Sequence, residues 1–116
     1  MGRLTTHVLD TAAGIPAGGM RVDLQRIDES RAPAASFRTD ADGRLAAALL
    51  DNAAFESGRY ELSFHVGDYF RARGVALPDP AFLDVVVIRF GIADPAQHYH
   101  VPLLVSPWSY STYRGS

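Results

Sequence analysis

Four histidines carry most of the acid–base chemistry open to this chain, which has no cysteine and no serine set in the sharp turn of a nucleophile. The lack of cysteine also removes disulfides, thiolate-bound zinc and thiol nucleophiles. His98 and His100 stand two apart in "HYHVPLL", a spacing that on a strand projects both imidazoles from one face. Two such imidazoles could begin a zinc or copper site, but a catalytic metal centre needs a third ligand, and no carboxylate is placed to supply it. One of the pair is therefore expected to be catalytic or structural and the other a surface neighbour. Against the alternation of Leu4, Thr6 and Val8 with Thr5, His7 and Leu9, His7 falls on a mixed face. His65 falls on the polar face of "YELSFHV" and reads as a surface residue without a role. Arg44, after the turn "DADG", and Arg114, near the end, carry planar guanidinium forks suited to oxyanions, although each taken alone reads as a solvated charge.

The elements that must position these residues are strands. In "MRVDLQ", Met20, Val22 and Leu24 alternate with polar residues, and in "YELSFHV" Tyr60, Leu62, Phe64 and Val66 do the same. Further strands are expected in "LTTHVL", "SFRTD", "LAAALL", "FLDVVVIRF", "HYHVPLLVS" and "SYSTY". Between them "AAGIPAGG", "DESRAPAA", "DADG", "LPDPA" and "ADPAQ" supply turn chemistry, with "DADG" expected to close a hairpin. "GDYFRARG" alone suggests a helix, about two turns long, with Asp68 as N-cap and Gly74 as its stop. The pattern is an all-β sandwich of about eight strands with one short helix.

Composition narrows the partners. The chain has 116 residues, 47% of them hydrophobic and 21% charged, which fits one folded domain spanning residues 1–116. A formal charge of -2 gives no basic field for nucleic acid or an anionic membrane. No apolar run is long enough to span a bilayer and the N-terminus has no signal-like core, so a cytoplasmic protein is expected.

Four stretches, "LTTHVLDTAAGIPA", "TDADGR", "HYHVPLL" and the terminal "YSTYRGS", occur in the order found in the 5-hydroxyisourate hydrolases, and over its whole length the chain resembles that family of urate-degrading enzymes. The resemblance implies a transthyretin-like sandwich of two four-stranded antiparallel sheets, assembled as a homotetramer, a dimer of dimers around a central channel. It implies hydrolysis of 5-hydroxyisourate, a flat purine derivative, to 2-oxo-4-hydroxy-4-carboxy-5-ureidoimidazoline, without cofactor or metal. The catalytic set it implies is His7, Arg44, His100 and Ser116, with Arg44, Tyr113, Arg114 and Ser116 binding substrate and His98 left as a neighbour. The tail is then expected to form a pocket wall that fixes where the chain ends. Three rivals stand beside this reading: a non-catalytic carrier of the transthyretin type, a metal-dependent hydrolase or oxygenase using His98 and His100, and a purely structural sandwich module, which leaves "DGR", "HYHVPLL" and "YRGS" unexplained.

Overall fold

Strict alternation of apolar and polar residues buries one face of each long strand, and two such faces close on each other. In the computed structural model, which describes residues 2–28, 34–51 and 55–116, the strands are β1 (Arg3–Asp10), β2 (Ile15–Pro16), β3 (Arg21–Arg26), β4 (Ala35–Arg38), β5 (Leu50–Asp51), β6 (Gly58–Phe64), β7 (Val86–Ile92), β8 (Tyr99–Val105) and β9 (Tyr110–Thr112). One sheet runs β2–β1–β8–β9, with the two-residue β5 also laid against β1; the other runs β4–β3–β6–β7. Leu4 and Val8 of β1 and Val101, Leu103 and Val105 of β8 meet Val22 and Leu24 of β3 and Leu62 and Phe64 of β6 in the core. The residues picked out by alternation in "MRVDLQ" and "YELSFHV" are all buried.

The sheets are not wholly antiparallel as expected. β1 and β8 pair in parallel, with Thr5 opposite His100 and His7 opposite Pro102. Parallel neighbours need a long crossover, and here most of the domain intervenes between Asp10 and Tyr99. "LAAALL" is not a full strand, because a run of alanines offers little side chain to pack on a pleated surface. Only Leu50, with Asp51, joins the sheet, beside a bond from the Leu49 N–H to the Leu4 carbonyl at 2.9 Å. "FLDVVVIRF" starts its strand only at Val86; before it, Asp84 accepts a hydrogen bond from the Gly67 N–H at 2.9 Å and serves the helix. The two-residue β2, closing on Leu9 and Asp10, gave no alternation to read. Most of the "DESRAPAA" turn lies outside the described residues.

The helix, α1, spans Val66–Ala72, so His65 occupies the N-cap position and Asp68 lies in the first turn, making no cap. Gly74 ends it in a left-handed conformation, φ 86°. Tyr69 of α1 donates to buried Asp10 at 2.9 Å, while Asp10 also accepts from the Ala12 and Ala13 N–H groups at 3.0 Å. Burial and the Asp10 bond push the Tyr69 phenol up to about 12. The helix is thus fastened to the end of β1.

"DADG" does not close a hairpin; it carries the chain from β4 in one sheet across to β1 in the other. Asp40 Oδ1 accepts from the Asp42 and Arg44 N–H groups at 2.9 and 3.1 Å, and the Asp40 N–H donates to the Arg44 carbonyl at 2.7 Å. Gly43 has φ 75°, and a Cβ there would collide with the Val8 carbonyl oxygen. Gly43→Ala should therefore lower stability by about 1–3 kcal/mol, the usual cost of a strained backbone position. Urea unfolding measures this, and an unchanged midpoint would contradict the packing described.

Candidate active site

The candidate residues gather on the outer face of β1, where alternation leaves Arg3, Thr5 and His7 pointing away from the core. On one side of β1 the parallel register brings His100 to Thr5, whose hydroxyl lies 2.8 Å from His100 Nδ1. On the other side the "DADGR" turn docks. Val8 N–H donates to the Gly43 carbonyl at 2.8 Å, and Arg44 forms a β-bridge with His7. The His7 ring closes over this turn, donating from Nε2 to the Asp42 carbonyl at 2.8 Å.

The tail reaches the same place along β8. After β9 pairs Thr112 with Leu103, Gly115 bridges His100 by two backbone bonds of 3.2 and 2.7 Å. Glycine fits closely here, since a Cβ at this position would sit 3.1 Å from both Cβ and Cδ2 of the His100 side chain and the ring would have to give way. Arg114 turns the other way. Its guanidinium donates to Gln97 Oε1 and the His98 carbonyl, both at 3.0 Å, and lies 4.4 Å from the centre of the Tyr99 ring.

A cavity of about 420 Å³ results, lined by Arg3, Thr5, Arg44, His98, His100 and Ser116. Its volume falls in the range of small-molecule sites. Arg44, His100 and Ser116 of the expected set thus line one cavity, and His7 adjoins it through the Arg44 bridge. Tyr113 and Arg114 do not line it; Tyr113 is 61% exposed. Arg3 and Thr5 line it without having been singled out from the sequence as site residues, and His98, expected as a neighbour of His100 or in the rival reading as a metal ligand, lines it too. The i, i+2, i+4 spacing of Arg3, Thr5 and His7 on a strand was the signal for the first two. Among the described residues no group of three His, Cys, Asp or Glu side chains is placed to hold a metal ion.

His65 is not the exposed residue expected. It is half-buried and its Nε2 lies 3.0 Å from Asp23 Oδ2, on the far sheet and away from the cavity. Burial alone would raise the Asp23 carboxyl, but hydrogen bonds from Ser36, Arg21 and His65 hold it below its ordinary value.

Similarity to known proteins agrees with this geometry. The model of the HIUase/Transthyretin family matches residues 4–115. The chain belongs to that family. It is 64% identical over 117 residues to a 5-hydroxyisourate hydrolase of Ralstonia nicotianae, covering all of both chains. Among solved structures it resembles an (S)-allantoin synthase with a TM-score of 0.95 and 49% identity, covering 99% of this chain but 44% of that one. It also resembles sea bream transthyretin in complex with thyroxine, with a TM-score of 0.85 and 27% identity over 97% of this chain and 94% of that one. The transthyretin-like sandwich, two sheets with one short helix, is thereby common to this chain and to proteins bearing both kinds of name.

Burial, the Arg44 charge and then His7 hold the His100 imidazole below its ordinary value of 6.5. The unfolded chain therefore takes up this proton more readily than the folded one. His100 consequently has no effect on the pH dependence of stability well above 6.5, and makes stability fall as the pH drops through about 6.5 toward the folded value. Replacing it by glutamine should flatten the stability–pH curve just below pH 6.5, as read by denaturation at a series of pH values. Identical slopes for the two proteins would contradict the shift.

Proposed function

We propose that this protein hydrolyses 5-hydroxyisourate, the reaction named for its 64%-identical relative, and that the cavity on the outer face of β1 is where it does so. The observation that carries the proposal is the convergence of the His100 imidazole with Arg44 and Ser116 around one cavity of small-molecule size, where burial and the Arg44 charge favour the neutral ring.

Opening the ring requires water to add to a lactam carbonyl, a base to take its proton and a donor to hold the oxyanion. His100 Nε2, which makes no hydrogen bond among the described residues, takes the proton. As the C–N bond breaks, His100 returns it to the leaving nitrogen, and the carbonyl carbon keeps the water oxygen as a carboxylic acid, which then loses its remaining proton to solvent. Arg44 holds the developing oxyanion and the acidic heterocycle through its planar fork, a geometry that a point charge would not match. His7 has its Nε2 committed to the Asp42 carbonyl. It fixes the turn that carries Arg44, and only Nδ1 remains free to exchange a proton. Ser116 closes the cavity against substrate or water. Arg114, stacked on Tyr99, holds the tail in place, a supporting rather than a contacting part.

The remaining parts of the reading follow from the family. The tetramer sets another copy of this chain against the open outer face, so that active sites lie where dimers meet. The carrier alternative rests on the same fold, but the 27% identity with a transthyretin is far below that with the hydrolase.

The test is the decay of freshly generated 5-hydroxyisourate followed by absorbance. The wild-type protein accelerates it; a carrier would leave the spontaneous rate unchanged. His100→Ala should lower turnover by roughly 10²–10⁴, the usual worth of general acid–base catalysis, and His7→Ala, which releases the turn that carries Arg44, should lower it as well. His65→Ala should leave turnover intact and cost stability no more than about 1 kcal/mol, as for other partly exposed ion pairs. Wild-type turnover in His100→Ala would remove the mechanism in which this imidazole is the base.

A further inference from the structure

The outer face of β1 supplies two cavity residues, Arg3 and Thr5, whose chemistry the reaction scheme leaves unused, and the second touches the base. Thr5 lines the cavity and its Oγ1 lies 2.8 Å from His100 Nδ1. The contact is fixed by the sheet, because Thr5 and His100 are register partners in the parallel β1–β8 pair. Gly115 lies beside the same side chain, where an added Cβ would sit 3.1 Å from Cδ2 and 3.4 Å from Cγ. Rotating the imidazole by half a turn would set Cδ2 against the hydroxyl and lose the bond. Thr5 therefore selects the ring orientation as well as bonding to it.

We propose that Thr5 is the positioning residue of His100: its hydroxyl oxygen accepts the Nδ1–H, leaving Nε2 as a lone pair directed into the cavity. This rests on the hydrolase reading, in which His100 is the base. Two further features favour this direction of the bond. The cavity wall carries the guanidinium groups of Arg3 and Arg44, which donate and never accept, so a lone pair facing them is electrostatically favoured over an N–H. A hydroxyl is also the right partner for a base that must stay neutral among arginines. A carboxylate in the same place, as in serine hydrolase triads, would stabilise the imidazolium and favour the protonated ring. Threonine orients the ring without adding that charge.

Thr5→Val and Thr5→Ser separate the hydroxyl from the shape of the side chain. Valine keeps the β-branch suited to the strand and loses the bond; serine keeps the bond. In the wild-type protein, ¹⁵N spectra of labelled histidine should show His100 with its proton on Nδ1. In Thr5→Val the proton should shift toward Nε2, the form favoured by free histidine, and kcat should fall about 10–100-fold, as when the outer partner of a functional histidine is removed. KM should change by no more than about twofold, since Thr5 acts through the base rather than on bound substrate. Thr5→Ser should restore both the wild-type spectrum and most of kcat. A wild-type spectrum with the proton on Nε2 would overturn the proposal, as would a Thr5→Val protein with unchanged kcat and unchanged spectrum. If the wild-type protein proves inert toward 5-hydroxyisourate, the hydrolase reading fails instead, and the spectra of the wild-type and Thr5→Val proteins still decide the role of Thr5.

Discussion

The site depends on β1 being hydrogen-bonded along both edges by segments distant in sequence. The parallel pairing with β8 delivers His100 from one side, and the Gly43–Val8 contact delivers Arg44 from the other. The inner face of the same strand carries Leu4 and Val8 into the core, so the outer residues cannot slip without exposing apolar ones. Register set by hydrophobic burial thus becomes the geometry of the cavity. The Asp10–Tyr69 bond at the end of β1 ties this strand to the helix and so to the second sheet.

Two glycines show how closely backbone and chemistry are joined. Gly43 permits a left-handed turn pressed on β1, immediately before the Arg44 that bridges His7. Gly115 lets the tail lie directly against the His100 ring, which leaves the imidazole with little room to rotate. The tail is held by Arg114, whose guanidinium is occupied by Tyr99, Gln97 and the His98 carbonyl. An arginine placed next to a site need not point into it; here it supports the wall.

Much of the architecture was legible because period-two alternation is a direct signature of half-buried strands, as Met20–Leu24 and Tyr60–Val66 illustrate. Alternation carries no sign of strand direction, so the parallel β1–β8 pair was not readable, nor was the passage of "DADGR" between sheets. The alanine run before Leu50 misled because a short continuous apolar run can read as a strand while its side chains are too small to hold one. For the site, His7, Arg44 and His100 were found through motifs shared with a family. The cavity-lining roles of Arg3 and Thr5 follow from the outer face of β1 and could have been drawn from its alternation. His65 shows the reverse error: a polar-face histidine was read as idle, but it is packed against Asp23 across the sheet.

A crystal structure of the protein with a planar oxidised-purine analogue bound tests the central claim most directly. The account predicts the ring in the β1 cavity, with its oxygens within hydrogen-bond reach of the Arg44 guanidinium and a carbonyl carbon facing His100 Nε2 across one water. An analogue bound elsewhere, with Arg44 and His100 left facing solvent, would contradict it.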